Sequence, residues 1–126
     1  IHPGMDHEQV GRFLDKGFEQ AGIDGFQRTL HFYMPGGEIP QDDRFVKLCL
    51  EERERQFGIK SDPQPFDASC EQCFLAKEGI QTVICGPGDI AQAHTVGEFT
   101  WEKQVRDAVS LYERIIDRVL YKTNYI

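Results

Sequence analysis

Residues 81–99 read QTVICGPGDIAQAHTVGEF. Gln81, Thr82, Val83, Ile84 and Cys85 form a near-continuous run of strand-favouring residues. That pattern suits a strand covered on both faces in a parallel sheet. Gly86 and Gly88 free the backbone for a tight turn or for close approach of a ligand, and Pro87 restrains it. An irregular segment with His94 and Glu98 follows. Ligands of α/β proteins bind at the carboxyl ends of the strands, where this loop is expected to lie. His94 offers an imidazole nitrogen to a metal or a proton. Glu98, four residues on, can take the other ring proton, accept a cap hydrogen bond or stay solvated. The plain alternative is a surface histidine on a connecting loop. Spacing goes no further, because a mononuclear site needs three protein ligands and a dinuclear site more.

Downstream, Trp101, Val105, Ala108, Val109, Tyr112, Ile115, Ile116, Val119 and Leu120 repeat with helical period. They predict a long terminal helix over about 100–120, with Asp107, Glu113 and Asp117 facing away. Upstream, Phe45, Val46, Cys49, Leu50 and Phe57 mark a helix over about 43–56, closed by Gly58. Its charged run, Glu51 to Arg55, reads as a solvated face with pairs such as Glu51–Arg55. Residues 67–77 suit a short helix capped by Asp67 or Ser69. Residues 59–66 suit at most an edge strand, because Pro63 and Pro65 interrupt them.

Near the start, Asp6 can cap a helix over about 7–21, with Gln9 completing a capping box. Val10, Phe13, Leu14, Phe18 and Ala21 share one face of it, and Gly17 on that face would permit close packing. Gly22 and Gly25 stop the helix. Residues 29–34 read as a strand, and residues 36–43 as a linker. One helix on one strand cannot bury both of its faces. The later units resemble the end of an α/β sheet that also lacks companions. Pattern alone therefore predicts an incomplete protein, a view to which the first residue, Ile1 rather than Met, adds a little.

The chain has 126 residues, 40% of them hydrophobic, which is enough for a core. No apolar run is long enough to span a bilayer, and the first residues do not read as a signal peptide, so a soluble, cytoplasmic protein is expected. A net charge of −7 argues against nucleic acid. Four cysteines allow two disulfides, yet Cys49 and Cys85 sit in apolar runs, and reduced thiols are the preferred reading. Cys70 and Cys73 form CxxC. A redox dithiol is disfavoured because Glu71 opposes a depressed thiolate pKa and no aromatic residue precedes Cys70. A zinc knuckle would need Cys49 and Cys85 brought to the same place. The plain reading is two residues on one helical face.

The motif GPGDIAQAHTVGEF resembles the closing motif of the M20 metallopeptidase family, in its acetylornithine deacetylase and succinyl-diaminopimelate desuccinylase group. By that resemblance His94 is a metal ligand and Glu98 a residue supporting the ligand shell. Gly86, Pro87 and Gly88 border the substrate carboxylate. Asp67-Ala68 is similar to the pair that precedes the family's penultimate helix, and Gly79-Ile80 to the entry of its last strand. His2-Pro3-Gly4-Met5 is similar to the entry of the last helix of its lid domain. The arginine that many relatives carry after the Asp-Ala pair is replaced here by Ser69, Cys70, Glu71 and Gln72. That turns the resemblance toward the acetylornithine or acetylcitrulline deacetylase branch.

The resemblance implies an α/β fold: the end of a zinc-peptidase-like catalytic sheet domain (36–126) preceded by the last helix and strand of an α+β, ferredoxin-like lid domain (1–35). It implies a fragment, because the family's His-x-Asp metal motif, its Glu-Glu pair and a further carboxylate ligand all come earlier in a full-length chain. No His-x-Asp occurs here, and His2 and His7 read as structural or solvated. The full-length enzyme would bind two zinc ions, or cobalt, around a bridging water. It would remove an N-acyl group from an amino acid or act on a peptide, and it would work as a homodimer. This chain alone would be inactive and holds no catalytic residue. Two other classes remain open at the level of sequence: a small natural binding or interaction module, and a CxxC thiol protein.

Overall fold

The structure is a computed structural model, and it describes residues 4–121. His2 and Pro3 of the entry motif lie outside the described residues. Among the described residues four α-helices follow in order: α1 (His7–Gln20), α2 (Arg44–Phe57), α3 (Gln72–Lys77) and α4 (Glu102–Leu120). The chain divides into two compact units. One contains Ile1–Ile39 and Asp67–Thr82, the other Pro40–Phe66 and Val83–Ile126.

In the first unit the start of α1 follows directly from its residues. Asp6 Oδ1 accepts from the Gln9 amide at 2.7 Å, and Gln9 Oε1 accepts from the Asp6 amide at 3.0 Å. This reciprocal box satisfies two N–H groups that the first turn leaves orphaned. At the other end Gly22 takes a left-handed φ of +68°, and the Ile23 amide returns to the Phe18 carbonyl at 3.0 Å. The face expected to carry the core is mostly bare: Phe13 is 75% exposed, and Leu14 and Phe18 are exposed too. Gly17 meets open space rather than a close neighbour. The glycine that matters is Gly11, which is buried. A Cβ there would lie 2.5 Å from the Arg28 guanidinium. Arg28 Nε and Nη2 donate to the two Asp15 carboxylate oxygens at 3.1 and 2.9 Å, closing the segment after α1 back over the helix. Phe18 and Phe26 support the same return, with ring centroids 4.5 Å apart. His7 is exposed, with its ring set edge-on to Tyr33 at 5.4 Å. α3 begins later than its sequence indicates. Glu71 stands at its cap position without a side-chain hydrogen bond, so neither Asp67 nor Ser69 caps it.

In the second unit α2 packs against α4. Asp43 Oδ1 caps α2 through the Phe45 amide at 2.7 Å, and Gly58 ends it with φ +67°. Val46, Leu48, Ala108 and Leu111 are buried. The charged run of α2 is not a solvated face, because Glu52 is only 3% exposed. Its Oε1 accepts from Arg55 Nη1 at 2.7 Å and from Arg118 Nη1 at 2.9 Å. Glu51 pairs with Arg118 at 2.8 Å instead of with Arg55. The acceptor hydrogen bonds to Glu51 and then Glu52 hold Arg118 still more firmly protonated. The Asp107 main-chain carbonyl also lies at this contact and accepts from Gln56 Nε2 at 2.7 Å, while its carboxylate pairs with Lys103 along α4. Helical spacing explains the burial of Glu52, which follows Leu48 by four residues and so shares its face.

Among the described residues no β-ladder forms. The segments read as strands, 29–34, 59–66 and 81–85, carry no strand pairing. A strand exists only when its N–H and C=O groups meet a neighbour, and side-chain alternation marks the faces of a strand without supplying that neighbour.

Candidate functional site

The loop after residue 85 belongs to the α2–α4 unit. It is fastened to α4 at both ends. At its entrance the Tyr112 hydroxyl donates to the Cys85 carbonyl at 2.7 Å. Burial, and then the nearby Cys85 thiol, push the Tyr112 phenol above its ordinary range, so it stays a donor. At its exit the Thr100 hydroxyl and the Trp101 amide both donate to Gln104 Oε1, at 3.1 and 3.2 Å. The first turn of α4 thus caps itself with a residue from its own third position.

Between these ends the glycine turn is exposed. Gly88 has φ +95°, a conformation that favours glycine, while a Cβ at Gly86 would make only an ordinary contact at 3.8 Å with the Tyr112 hydroxyl. Pro87 stands exposed between them. Asp89 Oδ1 then accepts from the Ala91 amide at 2.9 Å and starts a single 3-10 turn, Ile90–Gln92. The Gln92 carbonyl takes both the amide and the hydroxyl of Thr95, at 3.2 and 2.6 Å.

His94 sits at the crown of this loop. Its φ is +62°, and it is the one non-glycine residue with positive φ among those described. A residue with a Cβ pays about 1–2 kcal/mol for that conformation, although histidine is among the types that adopt it most readily. The compensation comes from Glu98, whose Oε2 accepts from the His94 amide at 3.0 Å. A hydrogen bond to a charged acceptor contributes about 1.5–3 kcal/mol, less in an exposed loop, so the two terms are of similar size. Glu98 therefore meets His94 through the main chain. Among the described residues no hydrogen bond to the His94 ring is found, and the residue is exposed.

A metal ion does not fit these residues by themselves. Among the described residues no three His, Cys, Asp or Glu side chains come together as a ligand set. His94 is a single donor, and the nearest carboxylate along the loop is spent on an amide. The cysteines do not supply a site either. All four are free. Cys73 is buried in α3, its thiol directed to the Cys70 carbonyl at 3.2 Å, while Cys70 lies before the helix rather than on a shared helical face. Cys49 and Cys85 belong to the other unit. Burial, and then the Cys85 thiol, push Cys49 up to about 11. Cys85 is exposed as a residue, yet loss of solvent around its sulfur raises it too, with Arg53 pulling the other way. Raised thiols are poor nucleophiles and poor ligands.

Tyr112 and Gln104 hold the ends of the loop, a task for which the sequence reading names neither. Tyr112 reads as one more member of an apolar stripe, although a buried-side tyrosine usually finds a partner for its hydroxyl. Gln104 had a visible signal, since it lies three residues after the residue preceding α4.

The family model described as Peptidase family M20/M25/M40 matches residues 14–118, and the chain belongs to that family. It is a family of metal-dependent hydrolases, peptidases and amidohydrolases whose members commonly bind zinc or other divalent metals. No curated protein and no solved structure matches the chain. No helix among the described residues is long and apolar enough to cross a membrane.

Proposed function

We propose that this chain is the C-terminal part of a zinc-dependent N-acyl-amino-acid deacylase, close in kind to acetylornithine deacetylase, and that it is inactive alone. The observation that carries the reading is the loop itself. A glycine turn with Gly88 in the left-handed region leads to an exposed His94 whose ring is left free, directly ahead of the terminal helix. In this reading His94 is one ligand of a two-metal site, of zinc or alternatively cobalt. The turn Gly86-Pro87-Gly88 borders the carboxylate of a small N-acylated amino acid. The remaining ligands and the general base lie in an earlier part of the enzyme. The strand-like segments 29–34 and 81–85 would find their partners there too, as the last strand of a ferredoxin-like lid and the last strand of an α/β catalytic sheet. That division of the chain, 1–35 and 36–126, and the homodimer formed through the lid, belong to the same proposal. The bare apolar residues support it: Phe13, Phe32, Val109, Ile116 and Leu120 are all exposed, a poor state for a finished domain.

The test begins with the intact mass of the protein in its native source, followed by an assay of N-acetylornithine hydrolysis with zinc. A longer species should turn over, and His94→Ala should lower both activity and bound zinc. The loss should exceed about a hundredfold, because removing even an outer partner of a metal ligand costs about 10–100-fold. A native species of 126 residues, or full zinc retention in His94→Ala, would sink the proposal.

A further inference from the structure

The loop presents His94 in a way that depends on one contact. His94 and Glu98 are four residues apart in a non-helical segment, so nothing in their spacing alone obliges them to meet. Gly97, with φ +85°, turns the chain back, and the Glu98 amide donates to the Thr95 carbonyl at 3.2 Å. The Glu98 carboxylate is thereby returned to the amide of His94 at 3.0 Å. The residues between are tied to the 3-10 turn through Gln92. His94 alone, among the described non-glycine residues, stands in the left-handed region, and the charged acceptor falls on that same residue. An orienting carboxylate would ordinarily be expected on the ring. Here it is on the main chain, and both ring nitrogens are left uncommitted.

We propose that Glu98 is a positioning residue: its carboxylate clasps the His94 amide, holds that residue in the left-handed conformation, and so aims an imidazole whose two nitrogens stay free for other groups. The clasp rests on the reading of His94 as a working histidine only for its purpose; its existence is a property of the loop. The carboxylate acts here as a hydrogen-bond acceptor, and its charge sharpens that bond. Gln in its place would keep an acceptor of the same reach and lose the charge. Ala would remove both. Glycine at 94 would need no clasp, because it enters the left-handed region freely.

Amide hydrogen exchange and the three-bond HN–Hα coupling at residue 94, read by NMR on the whole 126-residue chain, test this. In Glu98→Ala the residue-94 amide should exchange about tenfold faster, the loss of one charge-assisted hydrogen bond. Its coupling should leave the left-handed value. Glu98→Gln should fall between, with the coupling retained. In a His94→Gly background, Glu98→Ala should leave the left-handed geometry in place. A carboxylate that merely stabilised the fold would speed exchange across α4 as well and leave the coupling at 94 unchanged, and that result overturns the proposal. So does a residue-94 amide that behaves alike in wild type, Glu98→Gln and Glu98→Ala. Should Glu98→Ala fail to fold, Glu98→Gln carries the comparison alone: faster exchange confined to the residue-94 amide supports the clasp, and an unchanged residue-94 amide overturns it. Zinc content of the native enzyme with His94→Ala is scored separately: full retention there removes the metal reading and leaves the clasp standing.

Discussion

The α2–α4 pair and α1 are built from the same kind of amphipathic pattern and end in different states. α2 and α4 pack together, and Leu48 and Leu111 are each 4% exposed. α1 has a complete capping box and a glycine stop, yet buries only Gly11. The difference shows that capping and periodicity make a helix, while a partner makes a core. α1 is finished locally by Arg28 and Asp15, a polar closure, whereas the pair is finished by packing and by a carboxylate taken out of water.

Truncation is the strongest way to break this contrast. Leu111→Ala should cost about 2–3 kcal/mol in chemical unfolding followed by circular dichroism, while Phe13→Ala should stay within about 0.5 kcal/mol. Equal losses would mean that α1 is buried in solution after all. Next comes the charge at the helix contact. Arg118→Ala strands Glu52 with Arg55 as its remaining partner, and a loss of about 2 kcal/mol is expected in the same assay, below the usual cost of breaking a buried pair because Arg55 stays. Arg118→Ala with no effect would mean that water reaches Glu52.

The smallest effect concerns pH. The hydrogen bond from Arg28 is the main reason that Asp15 sits below its ordinary carboxylate value, against a lesser opposing effect of burial. A depressed folded-state pKa gives stability that is present above the unfolded value of 3.8 and lost as pH falls through the folded one. The dependence on Asp15 should therefore be confined to acid below about pH 4. Arg28→Ala should raise the Asp15 midpoint in an NMR titration and erase that dependence. An unmoved midpoint would remove the polar closure of α1.

Helices α1, α2 and α4 were legible, with most of their ends, because the causes are local. Asp6 with Gln9, and Gly58 after α2, act within a few residues of themselves. What stayed hidden was set by distant partners. Glu52 looks like one charge among five until α4 supplies Arg118 from 66 residues away. Gly11 looks like a weak helix residue until Arg28 lies over it. The strand-like runs showed their apolar faces, but a ladder needs a second strand, and none lies among the described residues. At the site, the loop and its histidine were visible from Gly86, Gly88 and His94. The contact between Glu98 and the main chain was not, because a carboxylate near a histidine has several partners within reach and only the backbone path selects one.

The loop after residue 85 is a polymer span anchored at both ends. Its entrance is held at Tyr112 and its exit at Gln104, so both feet of the span stand on one helix. The distance between the feet is then set by the pitch of α4 and not by the chain that bridges them. Closing a longer bridge is cheap, since doubling its length costs only about 0.6 kcal/mol in chain entropy. Extra residues between the glycine turn and the 3-10 turn would lengthen the arch while its footings kept their separation. The reach of the loop and the place where it is rooted are therefore independent variables of this design.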